Sequence, residues 1–198
     1  MTKYVLNSGG MTSDSEKSKE FVAEVVSGLG ENPRVLFCFF ASPREDWEES
    51  FGTYKKVFIE WAPVGVEPVF VLAFPATFEQ QCHESDIIYI HGGDDHLLQY
   101  WIKQFDIPKI WEDKTVATNS ASTHMMADSF WTCDWRMCMR GLGIMPIKTI
   151  AHYGSAYGGD DPRGPIDWQA AKDELANYGD KILPIYALEE ADYVVFNL

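Results

Sequence analysis

The stretch Val116-Ala117-Thr118-Asn119-Ser120-Ala121-Ser122-Thr123-His124-Met125-Met126 decides how the chain is read. A short β-prone run meets a serine flanked by small residues, and a helix-compatible segment follows at once. A strand that turns sharply into a helix with serine at the bend is the layout of a nucleophile elbow. In open α/β sheets such turns lie beyond the carboxyl ends of the strands, where ligands bind.

The flanking chain repeats the same unit. Upstream, Ile87-Ile88-Tyr89-Ile90 runs into His91-Gly92-Gly93-Asp94-Asp95, and Leu97, Leu98, Trp101, Ile102 and Phe105 then recur at helical spacing. Arg34 to Phe40, Val69 to Leu72 and Lys3 to Leu6 are further apolar runs, the last ending at Ser8-Gly9-Gly10. Runs this short and this continuously apolar read as strands covered on both faces. Helices are expected between them. Ser13 and Glu16 fit a capping box ahead of Phe21, Val22, Val25, Val26 and Leu29. Pro43 opens a second helix striped with Trp47, Phe51, Tyr54, Phe58 and Trp61, and Thr77 to Cys82 suits a short third.

Downstream of Ser120 the pattern is less regular. Met145 to Ala151 reads as a strand, and Tyr153 to Pro165 as a loop rich in Gly, Asp and Pro. Trp168, Ala171, Leu175 and Tyr178 mark a helix that stops at Gly179. Ile182 to Leu188 and Tyr193 to Phe196 read as closing strands, paired as a hairpin. Strands alternating with helices predict a three-layer α/β sandwich with a mostly parallel sheet. At 198 residues, with no linker, repeat or low-complexity tract, residues 1–198 are expected to form one domain.

The net charge of −14 argues against nucleic acid, whose phosphates such a surface repels. No apolar run nears the ~20 residues needed to cross a bilayer, so a membrane role is not expected. The N-terminus meets Gly9-Gly10 too soon to be a signal peptide, which suggests a cytoplasmic protein. Cys38, Cys82, Cys133 and Cys138 make no Cys-x-x-Cys pair, so buried reduced thiols are expected and no metal or cofactor is implied.

A serine hydroxyl needs a base within hydrogen-bond reach and a group that orients the base. His152 follows a strand and so falls on the expected active face, although a structural histidine would look the same. His91 also ends a strand, before glycines that suit a backbone presenting N–H groups to a ligand. His124 lies in the first turn after Ser120 and is expected to point away. Asp134 lies between Ser120 and His152 and could pair with an imidazole. Glu189-Glu190 could supply the acid of a different triad. Asp94-Asp95 with Asp160-Asp161 could bind a cation, although helix capping suits Asp94 or Asp95 as well.

Four segments together resemble the peptidase E (aspartyl dipeptidase) family. Tyr4-Val5-Leu6-Asn7-Ser8-Gly9-Gly10 is similar to its first strand and loop, and Ile88-Tyr89-Ile90-His91-Gly92-Gly93-Asp94-Asp95 to its Gly-Gly-Gly-Asn/Asp-Thr turn. Asn119-Ser120-Ala121-Ser122-Thr123-His124 falls where the family has Gly-x-Ser-Ala-Gly-Ala-Asn, and Ile147 to Tyr153 resembles the segment of the catalytic histidine. The resemblance implies a flavodoxin-like, glutamine-amidotransferase-like fold. It also implies a serine peptidase acting on short peptides, with an N-terminal aspartate in family members. By position, Ser120 matches the nucleophile, His152 the base and Asp134 the region of the third residue. Gly92 or Gly93, with Ala121, match the oxyanion donors. A monomer or homodimer is expected. Thr118 and Ser122 replace two elbow glycines, so a slightly opened elbow or a catalytically inactive binding protein on the same fold is the alternative expectation.

Overall fold

Five short strands form the centre of the molecule. They are β1 (Lys3–Asn7), β2 (Arg34–Cys38), β3 (Val69–Leu72), β4 (Ile87–Ile90) and β5 (Thr115–Asn119). They pair in parallel in the order β1-β5-β4-β2-β3. In this computed structural model, which describes residues 1–13 and 15–198, every residue of β4 and β5 is buried. That explains the absence of polar–apolar alternation in their sequences, since a strand covered on both faces has no solvent side.

The connecting helices are α1 (Glu16–Val26), α2 (Trp47–Trp61), α3 (Phe78–His83), α4 (Asp95–Ile102), α5 (Ala121–Met126) and α6 (Trp168–Asn177). Parallel crossovers are right-handed. The chain moves from β1 out to β3 and then returns to β5, so α1 and α2 cover one face and α3 and α4 the other. The α2 stripe is core packing: Phe58 lies edge-on to Phe37 at 5.1 Å and to Tyr89 at 5.6 Å. Helix α1 is capped by Ser15, whose Oγ accepts from Ser18 N–H at 3.1 Å, and not by Ser13. Ser13 instead donates through Oγ to Gly10 O.

The irregular region after Ser120 is a second sheet. Strands β6 (Ala127–Thr132), β7 (Met137–Arg140), β8 (Met145–Ile150) and β9 (Ile185–Ala187) pair in the order β7-β6-β8-β9. Its small core joins Trp131, Ile150, Ala171 and Leu175. The last strand, β10 (Tyr193–Asn197), returns to the first sheet and pairs antiparallel with β1. The expected closing hairpin is therefore not formed: β9 and β10 are consecutive but belong to different sheets. The short turn between them bridges the sheets beside the carboxyl end of β1. Among the described residues, no helix is long and apolar enough to cross a membrane.

Candidate active site

Ser120 stands where β5 becomes α5. Its backbone is at φ +58°, ψ −115°, a conformation that L-residues rarely adopt. The neighbouring hydroxyls hold it there. Ser120 N–H donates to Asn7 O at 3.1 Å, and Thr123 Oγ1 donates to the same carbonyl at 2.6 Å. Thr118 Oγ1 lies 2.7 Å from Thr123 Oγ1. Ser122 Oγ donates to Ile90 O at 2.6 Å and accepts from Asn119 N–H at 2.7 Å. Thr118 and Ser122 therefore do not open the bend. Their side chains tie it to β1 and β4, which flank β5.

His152 follows β8, also with positive φ (+57°). Its N–H donates to Ser8 Oγ at 2.6 Å, and Ser8 Oγ donates to Leu188 O at 2.9 Å. The imidazole Nε2 lies 2.9 Å from Ser120 Oγ, and Nδ1 lies 2.6 Å from Glu190 Oε2. A carboxylate can only accept, so Nδ1 carries the proton and Nε2 is left to accept from the serine hydroxyl. Glu190 comes from the β9–β10 turn, where Ala191 N–H donates to Gly9 O at 2.9 Å.

Asp134 is not the partner of His152. It lies on the β6–β7 turn, and its Oδ1 accepts from Tyr157 Oη–H at 3.0 Å. The Tyr157 ring stacks on the imidazole at 4.3 Å with 17° between planes, so the phenol stands between Asp134 and the histidine. The geometry favours the alternative acid, Glu190. Its neighbour Glu189 instead lies 3.9 Å from Lys17.

Gly9 and Gly10 form the floor of this arrangement. A Cβ at Gly9 would overlap His152 Cε1, and one at Gly10 would come within 2.9 Å of Glu190 Cγ. Both have positive φ, at +147° and +69°. Gly9→Ala is expected to push the imidazole off Ser120 while the sheet still folds. A misplacement of about 1 Å costs roughly 10²-fold in rate. Hydrolysis assays beside a thermal melt of the same variant check this.

The oxyanion candidates meet at the elbow. Gly93 and Ala121 line a narrow cleft with Ser120 and His152. Among the described residues neither of their N–H groups donates to a protein acceptor. A Cβ at Gly92 would overlap Asn119 O and lie 2.9 Å from Ser120 Cβ, and one at Gly93 would strike Ala41 O at 2.6 Å. Gly92 thus lets the β4 turn pass close beside the serine, and Gly93 lets it pass close beside the β2 loop.

The other histidines have separate places. His124 does not point away: it is buried against the same cavity. Its Nε2 accepts from Ala151 N–H at 3.2 Å and its Nδ1 faces Asp95 Oδ1 at 3.1 Å, which fixes a neutral ring. His91 packs against Tyr54 at 4.6 Å and Phe39 at 5.4 Å, and burial lowers its pKa to about 4. Asp94 caps α4, accepting from Leu97 N–H at 2.7 Å. Asp161 is held by Arg163, which keeps its carboxyl well below the usual range. The four cysteines are free and buried. Burial pushes the Cys82, Cys133 and Cys138 thiols up to about 12, far from a thiolate nucleophile.

Comparison with known proteins fits this geometry. The model of peptidase family S51 matches residues 4–197. A crystal structure of a peptidase from an acI-B1 Actinobacterium aligns with 99% of this chain and 83% of its own, at 20% identity and a TM-score of 0.67. A peptidase E candidate from Listeria monocytogenes EGD-e aligns over 100% and 99%, at 15% identity and a TM-score of 0.65. No curated protein matches the sequence.

Proposed function

Because the chain belongs to peptidase family S51 and is a serine peptidase, we propose that it hydrolyses short peptides, chiefly dipeptides, through Ser120, His152 and Glu190. The observation that supports this most is the run of contacts from Ser120 Oγ to His152 Nε2 at 2.9 Å and from Nδ1 to Glu190 Oε2 at 2.6 Å.

Ser120 Oγ attacks the scissile carbonyl carbon as His152 Nε2 takes the hydroxyl proton. Glu190 accepts from Nδ1–H throughout and offsets the positive charge on the imidazolium. The oxyanion forms between the N–H groups of Gly93 and Ala121, where one donor contributes roughly 10²–10³ in rate. Nε2–H then passes its proton to the leaving amine. Water, deprotonated by the same nitrogen, releases the acyl group.

Four buried, unpaired cysteines suit a reducing compartment such as the cytoplasm.

A dipeptide panel tests the proposal. Free amino acids are expected from dipeptides, with aspartate-headed ones tried first on the family resemblance, and not from folded proteins. Folded protein that cleaves none of the panel would overturn it.

A further inference from the structure

Tyr157 takes no part in the three-residue arrangement, yet the chain is built to bring it there. After His152, Gly154 turns the backbone at φ +72°. Ser155 N–H donates to His152 O at 3.0 Å, and Tyr157 N–H donates to Ser155 Oγ at 3.1 Å. Trp168 Nε1–H holds the turn through Ser155 O at 3.2 Å. The loop thus folds back and lays the Tyr157 ring face-on against the imidazole five residues earlier, at 4.3 Å. Asp134 fixes the far end of the ring by accepting its hydroxyl proton at 3.0 Å. The Asp134 backbone is itself anchored, its carbonyl accepting from Arg163 at 2.8 Å.

From this geometry we infer that Tyr157 is a positioning residue for His152: its π face stabilises the imidazolium formed when Ser120 gives up its proton, and Asp134 acts on the histidine through it. The inference rests on His152 being the base. An aromatic face within about 6 Å of a cation attracts it, and a carboxylate accepting the phenol proton makes the ring more electron-rich. The phenol stays protonated, because burial and the Asp134 and Asp95 charges raise its pKa. Asp134 therefore still belongs to the machinery, at one remove, which direct contact with the imidazole would not have shown.

Other groups face the same imidazole. Glu190 is on Nδ1, and Asp95, His124 and Cys133 lie across the cavity. Glu189 adjoins Glu190. Asp134 lines the same cavity and loses its Tyr157 partner when the ring is removed, so Asp134→Ala is measured beside the Tyr157 variants to separate its charge from the ring.

The test compares Tyr157→Leu, which fills similar space without a π face, with Tyr157→Phe, which keeps the face and drops the bond to Asp134. Removing a stabiliser of the charged form lowers the pH at which the imidazole loses its proton. In Tyr157→Leu the His152 ring resonance, followed by NMR in the substrate-free protein, is expected to titrate about half a pH unit lower than in the parent. Tyr157→Phe and Asp134→Ala should move it less, in the same direction. The acid limb of the kcat/KM profile should follow, with kcat in Tyr157→Leu down roughly 2- to 5-fold. A His152 titration that coincides in Tyr157→Leu and parent would overturn the inference. That result is separate from a failure of the peptidase reading, which would appear as absent hydrolysis in the parent, because the NMR titration needs no turnover.

Discussion

Ser120→Ala is expected to lower kcat for dipeptide hydrolysis by about 10⁴–10⁶, leaving KM and the melting temperature near the parent values. The hydroxyl lies 2.9 Å from Nε2, so alanine removes the group that His152 would activate. The fold should not notice. The bend is held by Asn7 O, Thr123 Oγ1 and Ser122 Oγ, none of which uses the Ser120 side chain. Initial rates over a substrate range, beside a thermal melt, separate loss of chemistry from loss of structure. Residual activity within tenfold of the parent would mean that another nucleophile carries the reaction.

Glu190→Gln is expected to cost about 10³–10⁴ in kcat, whereas Asp134→Asn costs less than about tenfold. An amide at position 190 can turn its NH₂ toward Nδ1. The proton then moves to Nε2, where it blocks acceptance from the serine. Glutamine also leaves the imidazolium without a counter-charge. In the Asp134→Asn variant the amide carbonyl oxygen can still receive the Tyr157 hydroxyl, so the stack on His152 survives. Measuring both variants side by side decides which carboxylate orients the base. Equal losses, or a larger loss at Asp134, would contradict the assignment drawn from the 2.6 Å contact of Glu190.

The parts of this arrangement differ in how far the sequence reveals them. Four of the five parallel strands are legible as short, mostly apolar runs and β5 as a β-prone run before the Ser120 turn, and burial on both faces leaves no other reading for Ile87 to Ile90. Ser120 and His152 are legible as strand-end residues, since the carboxyl ends of parallel strands converge. Asp134 looks plausible because it lies between them in the chain. The sheet order, which sequence position does not encode, decides against it. Strand β9 joins the second sheet and β10 the first, so the turn between them, and Glu190 with it, is carried to the imidazole. In the second sheet β8 and β9 are legible as strands, whereas β7 is only 4 residues long, with mixed exposure and no clear period.

Thr118 and Ser122 teach a further point. Against the family pattern they look like defects, since glycine relieves crowding at a strained bend. Side-chain hydroxyls can instead satisfy the carbonyls that such a bend leaves open, and both residues are fully buried, Ser122 with a bond to a strand on one side of β5 and Thr118 through Thr123 to the other. Gly9-Gly10 carries the opposite lesson. It reads as an ordinary loop, and only its close approach to His152 Cε1, which leaves no room for a Cβ, shows that the imidazole rests on it.

A serine-directed phosphonate, incubated with the folded protein and mapped by peptide mass spectrometry, tests Ser120 as the activated nucleophile most directly. A single covalent adduct on Ser120 is expected, formed at a rate that falls sharply in His152→Ala. An adduct on another residue, or unlabelled Ser120 in protein that still cleaves dipeptides, would contradict that role.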